Sequence, residues 1–155
     1  MQDHHLQPIL DRIPHRPPFL FLDEILEYEP GRLVCQKTFQ EEEPFFQGHY
    51  PGFPLVPGVL LCEATMQAGA LLLAKMFEEE TVGDESPESF HGKTPIVAKM
   101  GEVRFKQIIR PGDTLRIEVK FKEKMASIYF LHGKITCKEK TVLQFEFACK
   151  VEDQG

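Results

Sequence analysis

"PGVLLCEATMQAGALLLAKMF", residues 57–77, is the stretch that decides the fold. Leu60, Ala64, Ala68 and Leu72 recur at steps of four, the spacing of one helical face, and Pro57 suits a first turn because its missing N–H needs no intrahelical acceptor. The positions between them are apolar too, so the helix is predicted to be enclosed rather than to lie on a surface. Glu63, Gln67 and Lys75 interrupt the run. Those side chains would be expensive inside a bilayer, which favours a core helix over a membrane span. At about 20 residues it extends roughly 30 Å, and a layer of that length must cover it.

The second half of the chain supplies that layer. In "TLRIEVKFK", Leu115, Ile117, Val119 and Phe121 alternate with Arg116, Glu118, Lys120 and Lys122, the period of a strand with one wet face. "VLQFEFACKV" places Leu143, Phe145, Phe147, Cys149 and Val151 on one side in the same way. Two further strands are predicted near residues 95–108 and 126–137. Arg110-Pro111-Gly112-Asp113 reads as a turn. Upstream, "PFLFLDEILEYE" and "RLVCQKTF" flank the Glu29-Pro30-Gly31 turn and are predicted to pair. The charged stretch 78–93 is expected to be a solvated loop, and residues 1–12 a short N-terminal segment with His4 and His5 disordered at the surface. One long helix with antiparallel strands on either side of it in sequence gives an α+β fold in a single domain, 1–155.

Composition narrows function. The chain has 155 residues, 42% hydrophobic and 27% charged, with a formal net charge of −6. That balance and the lack of a Lys/Arg block argue against nucleic-acid binding. The four cysteines, at 35, 62, 137 and 149, have neither paired spacing nor a histidine at zinc-site distance, so no structural metal and no disulfide framework is expected. The N-terminus has no basic and apolar leader pattern, and a reduced cytoplasmic location is expected.

Glu63 then needs a reason. A carboxylate inside an apolar helix either keeps a proton or demands a partner, and a protonated carboxyl is what a general acid requires. Gln67, at i+4, shares its face and is placed to orient it. His49, in Gly48-His49-Tyr50-Pro51-Gly52, is the natural base, because imidazole titrates near neutrality and the surrounding glycines and proline shape the backbone. Gly58, at the start of the helix, offers an amide without an intrahelical acceptor at the positive end of the macrodipole, where a carbonyl oxygen would be polarised. A base, an acid and a carbonyl activator together specify proton removal α to a carbonyl with loss of a group from the next carbon.

These residues also carry a family resemblance. "IPHRPPF" (13–19), "EEEPFFQGHYPGFPLVPGVLLCEATMQAGA" (41–70) and "VRFKQIIRPGDTLRIEV" (103–119) closely resemble the FabZ-type (3R)-hydroxyacyl-acyl-carrier-protein dehydratases, in order over about residues 6–151. The resemblance implies the hotdog fold, in which a sheet wraps a central helix. It also implies a homodimer whose sheets join, commonly assembled further as a trimer of dimers. By position, His49 and Glu63 match the family's catalytic pair, which in the family comes from opposite subunits. Gly58 matches the amide that binds the thioester carbonyl, and Gln67 a supporting glutamine. Glu63 stands where the related dehydratase/isomerases of the FabA type have Asp, favouring simple dehydration.

No metal and no redox cofactor is expected, since only a proton and a hydroxide move; the substrate arrives on the phosphopantetheine arm of acyl carrier protein. That partner is acidic, and Arg104, Lys106 and Arg110 are candidate contacts, although a strand would turn alternate residues to opposite faces. Three positions depart from the family pattern: Tyr50 for the usual Phe, Ile96 near a usual aromatic at the substrate entry, and Gln107 where a basic residue is frequent. "Pro14-His15-Arg16-Pro17-Pro18-Phe19" is assigned to structure, restricting entry into the first strand. Two competing readings are an acyl-thioester hydrolase on the same fold and an inert acyl-binding subunit; release of free thiol would mark the first, binding without turnover the second.

Overall fold

The alternating segments form strands in the computed structural model, which describes residues 4–80 and 93–153. In chain order the elements are α1 (Gln7–Leu10), β1 (Glu24–Glu29), β2 (Arg32–Thr38), a 3-10 turn (Pro44–Gln47), α2 (Gly58–Glu80), β3 (Lys93–Met100), β4 (Thr114–Met125), β5 (Ile128–Cys137) and β6 (Lys140–Asp153). The strands make one six-stranded sheet in the order β1-β2-β4-β5-β6-β3, antiparallel at every junction. Four of the five ladders carry a register shift, and each such irregularity bends and twists the sheet locally.

Leu115, Ile117 and Val119 of β4 and Leu143, Phe145 and Phe147 of β6 are buried, so the inward face follows the period-two reading of the sequence. The α2 helix lies on that face against β2, β4 and β5. It is long and apolar enough to cross a membrane by length and composition, yet most of its apolar window is enclosed by the sheet. From Ala64 to Ala74 only Met66 is less than fully buried, which is why its pattern has no polar side.

Two glycines set how closely helix and sheet approach. A Cβ on Gly133 of β5 would lie 2.2 Å from Cγ2 of Thr65, and one on Gly69 of α2 would lie 2.7 Å from the Phe147 ring. Each glycine therefore receives a side chain from the opposite layer.

The structure corrects several expectations. The first strand begins at Glu24, not at Pro18, because the Phe19–Phe21 backbone is engaged by the helix rather than by a neighbouring strand: Gln67 binds Phe19 O and Phe21 N. The strand expected at 95–108 ends at Met100. Beyond it the chain only touches β6, through Gly101 N–H to Glu146 O and Lys106 N–H to Val142 O. Residues 78–80 still belong to α2 and Lys93 opens β3, while the rest of the expected charged loop, 81–92, lies outside the described residues. Toward the N-terminus, His5, expected to be disordered, has its Nδ1 3.3 Å from Glu24, and Ile9 and Ile13 further along are fully buried.

Candidate active site

The turn that presents His49 is built from unusual backbone. Tyr50 has φ of 52° and Gly52 φ of 87°, and Phe53 N–H closes the turn on Tyr50 O at 2.9 Å. A tyrosine in the left-handed region is uncommon and costs free energy that the surrounding structure must offset. His49 Nδ1 lies 2.9 Å from Leu55 O. A carbonyl can only accept, so Nδ1 carries the proton and Nε2 keeps its lone pair in the neutral ring. The Tyr50 ring meets the imidazole edge-on, with centroids 4.8 Å apart. Both contacts fix the ring with its basic nitrogen away from Leu55.

Leu60 and Leu61 are the first amides of α2 bonded to Pro57 O, so Pro57 is the residue before the helix and Gly58 its first member, one position later than expected. Gly58 N–H thus belongs to the set without intrahelical acceptors. Its missing side chain has a second use: a Cβ there would meet Phe105 Cε1 and Cζ at 2.9 Å. The half-exposed Phe105 ring occupies the space over the helix start.

Glu63, one turn further along, is about a quarter exposed. It has found partners: Gln67 Nε2 donates to its Oε1 at 3.1 Å, the contact expected from the i,i+4 spacing, and His15 Nε2 lies 3.6 Å from the same oxygen. Gln67 is 1% exposed, donating also to Phe19 O at 3.0 Å and accepting from Phe21 N–H at 2.8 Å. With both amide hydrogens and the oxygen engaged, the buried side chain that orients Glu63 is itself clamped to the 19–21 backbone.

Among the described residues no hydrogen bond or ion pair joins His49 to Glu63. His49 belongs to the Tyr50–Leu55 turn, Glu63 to the contact between α2 and the 15–21 segment. The sequence assigns His15 to structure alone, whereas the fold places it against Glu63. Its signal was present in "IPHRPPF", but the partner is 48 residues away and sequence periodicity does not reach it.

Arg104 is paired with Glu102 at 2.9 Å, both largely exposed, and shares a shallow cleft with Lys106 and Gln144. Arg110 lies elsewhere, over the Phe53 ring at 5.4 Å. The expected alternation of faces does not apply here, because 101–113 is not a strand. Burial pushes the thiols of Cys35 and Cys149 up to about 12 and about 11, and all four cysteines are free. None is primed as a nucleophile. The described residues contain no group of His, Cys, Asp and Glu arranged for a metal.

His15 and His132 are both held below the ordinary imidazole value of 6.5, chiefly by burial, against the opposing pull of Glu63 and Glu146 respectively. Their unfolded forms bind protons more readily, so this contribution to stability is present above 6.5 and is lost as pH falls below it toward the folded values. The urea midpoint is therefore expected to drop between about pH 7.5 and about pH 5.5, and His132→Gln to make the decline shallower. An unchanged slope in that variant would remove His132 from the account.

A six-stranded antiparallel sheet over one long helix, with a clamped carboxylate on the helix and a histidine in the turn before it, defines the class as a hotdog-fold protein with a candidate acid–base site. Comparison with known proteins places it further. A family model for the FabA-like domain matches residues 13–146, and the chain belongs to that family. It is 39% identical over 154 residues to the 3-hydroxyacyl-[acyl-carrier-protein] dehydratase FabZ of Caulobacter vibrioides, covering 99% of this chain and 91% of the relative. The FabZ of Clostridium perfringens is 41% identical over 139 residues, 86% of this chain and 92% of the relative. Among solved structures, the dehydratase heterocomplex ApeI:P from Xenorhabdus doucetiae superposes with a TM-score of 0.76 at 17% identity, over 95% of this chain and 92% of that one. At that identity the likeness concerns the fold.

Proposed function

We propose that the protein dehydrates (3R)-hydroxyacyl thioesters of acyl carrier protein to trans-2-enoyl thioesters in fatty-acid biosynthesis. The observation that carries this reading is identity of about 40% to FabZ dehydratases over nearly the whole chain. His49 Nε2, the nitrogen left basic by the Leu55 contact, takes the C2 proton. Glu63 gives a proton to the C3 hydroxyl, which leaves as water. Gly58 N–H binds the thioester oxygen as negative charge gathers on it. His49 ends with the proton that Glu63 lacks, and exchange through solvent restores both. A proton and a hydroxide account for the whole change, so the reading calls for no metal or redox cofactor.

The distance in chain and in contacts between His49 and Glu63 fits a site completed by a second copy, with His49 from one subunit and Glu63 from the other. Support for such a homodimer comes from β3, which forms one edge of the sheet and exposes Ile96, Val97 and Met100. An open apolar edge is a liability unless something pairs with it. Arg104 and Lys106, with Arg110 beside the His49 turn, are the proposed contacts for the acidic carrier.

Crotonyl thioester offers the direct test, read as loss of the conjugated enoyl absorbance when water adds. Hydration without release of free thiol is the expected result. Thiol release without hydration would assign the protein to the thioester hydrolases, and binding without either would leave an inert acyl-binding subunit.

A further inference from the structure

Beside Glu63 lies a titratable group that the mechanism above does not use. His15 Nε2 faces Glu63 Oε1 at 3.6 Å, and its other ring nitrogen, Nδ1, is buried with no hydrogen-bond partner. An orphaned buried N–H is rarer and costlier than an under-used lone pair. The proton therefore belongs on Nε2, the nitrogen that faces the carboxylate. Burial also pulls the ring toward its neutral form, opposed by Glu63 and assisted by the neighbouring Arg16. Arg16 itself points back into its own segment, its guanidinium bonded to Ile13 O, His15 O and Leu10 O. The segment is held from the other side by Gln67 through Phe19 and Phe21.

We propose that His15 is a positioning residue for Glu63: its Nε2–H, with the Gln67 amide, reserves Oε1 as an acceptor, so that the exchangeable proton resides on Oε2, the oxygen turned to the leaving hydroxyl. The inference rests on the dehydratase reading. A neutral donor suits the task where a cation does not. A full positive charge at this distance would hold Glu63 ionised and remove the acid, whereas an imidazole steadies one oxygen in both protonation states. At 3.6 Å the contact is longer than a formed hydrogen bond, and a small ring movement closes it when substrate seats, as contacts in unliganded sites commonly tighten.

Two polar replacements separate this role from packing. His15→Gln puts an amide nitrogen where Nε2 stood; His15→Asn puts one where Nδ1 stood, short of Glu63. For hydration of crotonyl thioester, His15→Asn is expected to lose about tenfold or more in kcat with little change in KM, the scale of one hydrogen bond to an ionisable group. His15→Gln should recover most of that loss. In a Glu63→Gln background, measured at high enzyme concentration, His15→Asn should cost nothing further, because the group it acts through is gone. Equal activity of the Asn and Gln variants, or an undiminished loss in the Glu63→Gln background, would overturn the assignment while leaving the dehydratase reading intact. A wild-type protein that fails to hydrate the thioester removes both.

Discussion

Glu63→Gln is expected to lower enoyl-thioester hydration by about 10² to 10⁴ with the fold unchanged, and His49→Ala to do the same, the range for a positioned acid or base. The glutamine fills the space of the glutamate, and its carbonyl can accept from Gln67 as Oε1 does at 3.1 Å. What it cannot do is give or take a proton. The loss, about 3 to 5 kcal/mol of transition-state stabilisation, should fall on kcat, since the helix, the Gly58 amide and the Gln67 clamp are untouched. His49→Ala removes the ring that Leu55 O orients and leaves the Tyr50–Phe53 turn closed by its own backbone bond. Steady-state rates with circular dichroism and melting alongside decide the matter. Full activity in either variant excludes the residue from the chemistry.

The second large effect is expected in stability. Gly133→Ala places a methyl 2.2 Å from Thr65 Cγ2, with the Phe147 ring at 3.3 Å and Val119 Cγ1 at 3.6 Å closing the other sides. Thr65 cannot simply turn away. It is fully buried, and its Oγ1 is bonded to Leu61 O at 2.9 Å, so rotation would exchange a clash for an unsatisfied hydroxyl. Overpacking of this kind costs about 1 to 3 kcal/mol, more for Gly133→Val, or a fall in Tm of roughly 2 to 10 °C for Ala at this chain length. Thr65→Ser deletes Cγ2 and keeps the hydroxyl. Each single variant is expected to destabilise, and the pair Gly133→Ala with Thr65→Ser to be more stable than their sum, a coupling read by urea denaturation. Strict additivity would mean that the two residues do not share the space.

What the sequence revealed divides along the range of the interactions. The α2 helix and strands β4, β5 and β6 were legible because their patterns repeat within a few residues. So was the Glu63–Gln67 contact, a matter of one helical turn. The errors lie where a distant partner overrides the local pattern. Phe19 to Phe21 has the apolar run of a strand, yet its backbone bonds go to Gln67, nearly fifty residues on. Val103 to Ile108 continues the composition of β3 but leaves the ladder, keeping one bond to β6 at Lys106. His15 carried no periodicity at all, and its place beside Glu63 follows from how Gln67 and Arg16 hold its segment. The intimacy of Gly133 with Thr65 is likewise invisible until helix and sheet are brought together.

The position of β6 bears on how such a chain emerges during synthesis. Last of the six strands in the chain, it pairs with β5 on one edge and β3 on the other, joining Lys93 to a partner sixty residues downstream. Until it is out of the ribosome, β3 has no neighbour in the sheet and Gly69 of α2 lacks the Phe147 ring that covers it. A strand made in mid-chain is thus paired last, and the nascent chain carries it with both edges open until β6 arrives.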